Sequence, residues 1–164
     1  MGANMGQPES TFKKLIVDLA GLGVLTTQVS SLYQTKAWGY ADNDYLNAVI
    51  LCSTHLGPID LLNALKFIEK AAGRTDKSNT SYASRPLDLD ILDYNKDIFR
   101  NSTLIVPHAL MTHRGFVLYP LQEVWPDYIH PLTGATIVSL LAGLPASEHD
   151  YKLVADAGWF SLAS

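Results

Sequence analysis

One cysteine, four arginines and no long apolar run set the first limits on this 164-residue chain. The lone Cys52 excludes an internal disulfide framework and fits a reducing, cytoplasmic setting. No apolar stretch approaches the about 20 residues that cross a bilayer, and residues 1–8 lack the basic and apolar regions of a secretory signal. Positive charge is also short. The formal net charge of −4 offers no general attraction to nucleic acid or to an anionic membrane. A composition 48% hydrophobic and 17% charged argues against disorder. It suits a single domain over residues 1–164, long enough to bury a sizeable core, and a monomer is expected rather than an oligomer.

Three of the four arginines, Arg74, Arg85 and Arg114, fall in or near segments that carry other reactive residues. Arginine suits bidentate recognition of phosphate, which points to an anionic ligand. The centre of these segments is Arg85-Pro86-Leu87-Asp88-Leu89-Asp90-Ile91-Leu92. In an extended chain, residues two apart share a face, so Asp88 and Asp90 project together while Leu87, Leu89 and Ile91 face the other way. Two neighbouring carboxylates repel unless something positive lies between them. A hard divalent cation, its shell completed by a nucleotide's phosphates, removes that repulsion. Read alone, the same alternation also describes a half-exposed strand with a solvated acidic face.

The spacing of Phe12, Leu15, Ile16 and Leu19 predicts a helix over 9–22, stopped by Gly21 and Gly23. Residues 24–35 and 45–54 read as strands, joined by a polar loop over 36–44. Pro58 suits the first turn of a helix to Ala72, with Leu61, Leu65, Ile68 and Ala72 on one stripe. Residues 73–85 have no periodicity and read as a loop beside the acidic strand, which is set at 86–94. A shorter fourth strand is expected over 98–106, a helix interrupted near Pro120 over 115–125, a turn at His130–Gly134 and a last helix over 135–144. The tail over 145–164 is weakly patterned. This order predicts an α+β sandwich, its sheet mostly antiparallel with helices on its faces. Its opening is odd: Gly2-Ala3-Asn4 reads as a turn directly before a helix.

Four features line up: Gly2-Ala3-Asn4, Tyr45-Leu46-Asn47, the Arg85-x-x-Asp88-x-Asp90 strand, and Val106-Pro107-His108 followed by Arg114-Gly115-Phe116. Phe67-Ile68-Glu69 and Gly73-Arg74 accompany them. Over roughly residues 2–140 this combination resembles the 6-hydroxymethyl-7,8-dihydropterin pyrophosphokinase family of folate biosynthesis. The resemblance implies a ferredoxin-like α/β sandwich that transfers pyrophosphate from ATP to the pterin hydroxymethyl group and releases AMP. It implies two Mg²⁺ ions held by Asp88 and Asp90, with Arg74 and Arg85 as further catalytic residues. ATP would be held by Glu69, Arg74, Lys77, Arg85, His108 and Arg114. The pterin would meet Gly2, Thr35, Trp38, Tyr45, Asn47, Tyr82 and Phe116. The partners expected are these two small molecules, without nucleic acid or membrane.

Several of these residues have ordinary readings. His108 after a proline is on its own a loop residue, Phe116 a core side chain, and Glu69 a surface carboxylate near a helix end. Asn47 in an apolar strand is less easily placed, because a buried amide must find partners. Three departures from the family pattern stand out. An apolar strand that precedes Gly-x-Asn in the family is missing, the 73–85 loop is less basic, and Thr35-Lys36 stands where the family has Thr-Pro. They leave room for a weakened or inactive relative that binds nucleotide or pterin, or serves as a partner subunit.

Overall fold

In the computed structural model, residues 1–36, 44–73 and 86–160 are described. Helix α1 (Pro8–Gly21) buries Phe12, Leu15, Ile16 and Leu19 on the predicted stripe, and Gly23 leaves it with a φ of 75°. Helix α2 (Pro58–Ala71) starts with Pro58 in its first turn and buries Leu65, Ile68 and Glu69. Both helices lie against one core, which also takes Ala3, Leu32, Leu87, Ile91 and Val106. A second cluster gathers around α3 (Gly115–Val124) and α4 (Ile137–Ala142), with Met111, Leu118, Tyr128 and Ile137 fully buried. Pro120 lies inside α3 without ending it. The apolar face of Val117, Leu118, Leu121 and Val124 outweighs the one helical hydrogen bond that proline removes.

Every ladder among the described residues is antiparallel. A four-stranded sheet runs in the order β1 (Gly2–Ala3), β4 (Tyr45–Asn47), β3 (Leu32–Thr35), β8 (Tyr151–Ala155). A second ladder joins β2 (Val24–Val29) to β5 (Ile50–Thr54), and a third joins β6 (Phe99–Arg100) to β7 (Ile105–Val106). The fold is thus the α+β sandwich that the element order implied, consistent with the ferredoxin-like form that the resemblance implied.

Strand β8 lies in the tail that showed little pattern, and the structure differs from the expected elements at four further places. The strands expected over 24–35 and 45–54 each break in two, at Ser30-Ser31 and Ala48-Val49. There side chains replace ladder bonds: Ser30 Oγ accepts from Val49 N at 3.0 Å, and Glu123 Oε2 accepts from Ser31 N at 2.7 Å. The 98–106 strand is instead a small hairpin, because the Asn101 side chain accepts from both Thr103 N and Leu104 N and turns the chain back. Residues 86–94, expected as a strand, form among the described residues a single bridge, Asp88 with Gly2. Beyond it residues 89–94 line a cavity of about 440 Å³, and Leu92 meets another backbone through its carbonyl, which accepts from His108 N at 2.9 Å. Gly2–Ala3, read as a turn, is a strand.

Candidate functional site

Gly2 connects the two halves of the site. On one side it pairs with Asn47 in the β1–β4 ladder. On the other its N–H donates to the Asp88 carbonyl at 2.9 Å, and its own carbonyl accepts from Asp88 N at 2.8 Å. A side chain here would crowd the amide, since a Cβ on Gly2 would lie 3.1 Å from Asn47 Oδ1. Next to it the Met1 amino group donates to the Ala48 carbonyl at 2.9 Å.

The acidic segment follows its predicted alternation. Leu87 and Ile91 are buried and Leu89 packs on the same core, whereas Asp88 is half-buried and the Asp90 side chain is 49% exposed. Between the two aspartates, Leu89 N donates to Oε1 of Glu69 at 2.7 Å. Glu69 itself is 5% exposed, so the surface reading of this residue does not hold. A buried carboxylate on α2 therefore anchors the peptide that separates Asp88 from Asp90.

His108 comes to the same place from the end of β7. It follows a cis Val106–Pro107 bond, and its N–H donates to the Leu92 carbonyl at 2.9 Å. Its Nδ1 accepts from Leu110 N at 3.2 Å. That leaves Nε2 as the protonated nitrogen of the neutral ring, 4.0 Å from Asp90 Oδ1. The ring is oriented as a donor towards the acidic face, where an anionic oxygen would be its natural acceptor.

A third group lies on the sheet and the start of α3. Asn47 is buried, and its Nδ2 donates to Thr35 Oγ1 at 3.0 Å. Thr35 also pairs with Tyr45 in the β3–β4 ladder. Arg114 holds its guanidinium 5.5 Å from the centre of the Phe116 ring, a cation–π arrangement. Gly115, between them, donates its N–H to Glu148 Oε2 at 2.9 Å. Glu148 lies in the unpatterned tail and carries no motif that marks it in the sequence.

Arg74, Lys77, Tyr82, Arg85 and Trp38 lie outside the described residues. Of the expected site residues that are described, only Asp90 borders the 440 Å³ cavity, which runs between β5 and residues 89–95 with largely apolar walls. The described ligand-binding residues do not converge there. Among the described residues no three His, Cys, Asp or Glu side chains group as a closed metal site. What Asp88 and Asp90 offer is a pair of hard oxygen donors. That set fits a cation such as Mg²⁺, which keeps part of its shell for water and phosphate.

Residues 1–126 match the family model described as 7,8-dihydro-6-hydroxymethylpterin-pyrophosphokinase. A 2-amino-4-hydroxy-6-hydroxymethyldihydropteridine pyrophosphokinase of Aquifex aeolicus is 36% identical over 133 residues, 80% of this chain and 81% of that protein. One of the same name from Synechocystis is 34% identical over 142 residues, 86% of this chain and 72% of that protein. A mitochondrial folate synthesis bifunctional protein of Pisum sativum is 40% identical over 125 residues, which cover 76% of this chain and 24% of the larger protein.

Proposed function

The chain belongs to the 7,8-dihydro-6-hydroxymethylpterin-pyrophosphokinase family and is a pyrophosphokinase of folate synthesis, and from that premise we propose its substrates, metal and site residues. ATP donates its β,γ-pyrophosphoryl group to the hydroxymethyl oxygen of 6-hydroxymethyl-7,8-dihydropterin. The new bond joins that oxygen to the β-phosphorus. The bond from the β-phosphorus to the α,β-bridging oxygen breaks, AMP leaves with the electron pair, and the hydroxyl proton passes to solvent.

The observation that carries this reading is the Gly2 connection. One short strand sets Asn47, suited to a heterocycle's donor–acceptor edge, in register with Asp88, suited to a cation. Such a transfer depends on aligning acceptor and phosphate more than on covalent help from the protein. Asp88 and Asp90 hold Mg²⁺, two ions by family resemblance, and the metal when bound neutralises triphosphate charge. His108 donates Nε2–H to a phosphate oxygen, and Arg114 supplies a fixed cation beside it. Asn47 and Thr35 meet the pterin edge while Phe116 and Tyr45 pack on its flat ring. Gly2 leaves room for the Asn47 amide, and Glu69 keeps the acidic peptide in place from the nucleotide side. Arg74, Lys77, Arg85, Trp38 and Tyr82 complete the assignment by resemblance.

The test is AMP release from ATP and 6-hydroxymethyl-7,8-dihydropterin, with and without Mg²⁺. Pterin-dependent AMP that disappears on chelation is the expected result. Binding of either ligand without AMP would instead make the chain a non-catalytic relative.

A further inference from the structure

Residues 127–164 lie beyond the stretch that matches the family model. Part of that segment nevertheless touches two elements of the proposed site. Glu148, in a 3₁₀ turn (Ala146–His149), accepts the Gly115 N–H at the first residue of α3. The backbones are also in close contact: a Cβ built on Gly115 would lie 1.8 Å from the Glu148 carbonyl oxygen, so only glycine lets them meet. His149 Nδ1 meets the Tyr119 hydroxyl further along α3. Tyr151 packs against Tyr119 and Tyr33, with ring centres 4.3 and 5.2 Å away. In the β3–β8 ladder Tyr151 pairs with Thr35, the residue that receives the Asn47 amide. The Lys36–Asp150 ion pair nearby is exposed on both sides and adds little.

We propose that Glu148–Tyr151 is a clamp that positions the pterin side of the site, with Glu148 as its positioning residue. The inference rests on the function proposed above. The first N–H groups of a helix have no partner within it, and a carboxylate there is favoured by the helix dipole. Held by Glu148, Gly115 fixes the directions in which Arg114 and Phe116 leave the start of α3. Because the Arg114 guanidinium lies on the Phe116 ring, the two move together. Tyr151 then sets β3, and with it Thr35 and Asn47, against the same helix. The clamp thus sets the spacing between the ring-packing and edge-reading sides of a flat heterocycle.

The experiment compares the unaltered chain with Glu148→Ala, Glu148→Gln and Gly115→Ala. It measures AMP formation at varied pterin and ATP, pterin Kd by calorimetry, and the thermal midpoint. Glu148→Ala should lower kcat/KM for pterin about tenfold, as expected when a charge-assisted hydrogen bond no longer orients a contacting segment. Its thermal midpoint should move by only about 2–4 °C, the scale of about 1 kcal/mol in a chain of this length. Glu148→Gln keeps an oxygen for the Gly115 N–H and should stay within about twofold of the unaltered chain. Gly115→Ala must push the segment away and should reproduce the pterin defect. Pterin kinetics within about twofold in Glu148→Ala, or a loss only in step with the unfolded fraction, would overturn the clamp. An unaltered chain that binds pterin but makes no AMP overturns the proposed reaction alone, and the Kd ratios then decide the clamp. A chain that binds no pterin overturns both.

Discussion

The Glu69 carboxylate accepts the N–H of Leu89, the peptide between Asp88 and Asp90, across 2.7 Å. Glu69 occupies a position on α2 that its neighbours Leu65 and Ile68 fill with apolar side chains. A charge there survives only by being hydrogen-bonded. Glu69→Ala would leave the Leu89 N–H without that acceptor, at a cost of about 1–3 kcal/mol. Denaturant midpoints should show that loss, and AMP formation should fall with it as the aspartates lose their common anchor. Glu69→Gln retains an acceptor oxygen and should recover most of the stability. Equal losses in the two variants would show that the charge, not the hydrogen bond, is what matters.

Asp90 should behave in the opposite way. Its side chain is 49% exposed, with His108 Nε2 4.0 Å away. Asp90→Asn should therefore change stability by only about 0.5 kcal/mol, the usual scale for an exposed position. Its AMP formation should nevertheless fall to background, because a neutral amide is a poor ligand for Mg²⁺. Turnover equal to that of the unaltered chain would sink the metal assignment.

These two residues show what could be read from the sequence and what could not. The period-two pattern of 87–91 was enough to place the aspartates on one face and the leucines on the core, because side-chain direction in an extended chain is a local property. The helices at 8–21 and 58–71 were equally legible from their apolar spacing. Glu69 was not, since a single carboxylate carries no mark of the backbone donor it will meet twenty residues later. The splits at Ser30-Ser31 and Ala48-Val49 depend on Glu123 and Ser30, which meet those backbones only through the tertiary fold. Strand β8 escaped notice because Tyr151, Lys152, Leu153 and Val154 are all exposed, so no alternation of apolar and polar residues marks it.

Gly2→Ala tests the connection between the site's halves. The added methyl would sit 3.1 Å from Asn47 Oδ1, tighter than ordinary contact, so the amide must shift by a few tenths of an ångström. The backbone bonds to Asp88 need no change. Stability should therefore hold to within about 1 kcal/mol while the KM for pterin rises several-fold. An unchanged pterin KM would remove Asn47 from the binding assignment.

The burial of His130 implies a pH dependence of stability whose sign follows from its lowered pKa. It is 5% exposed, with Nδ1 3.2 Å from Thr133 Oγ1 and its ring edge-on to Tyr128. Burial lowers its pKa below the ordinary 6.5, partly opposed by the Asp93 carboxylate. As pH falls through 6.5 the unfolded chain takes up a proton that the folded chain still refuses, so protons favour unfolding. The stabilising contribution is complete above 6.5 and is lost as the pH drops towards the lower folded value. One such group changes stability by at most about 1.4 kcal/mol per pH unit. Thermal midpoints measured from pH 7.5 to 5.5 should decline more steeply for the unaltered chain than for His130→Gln, which has no proton to gain. Parallel curves would mean that His130 titrates alike in the folded and unfolded chain, and that its burial costs the charged form nothing.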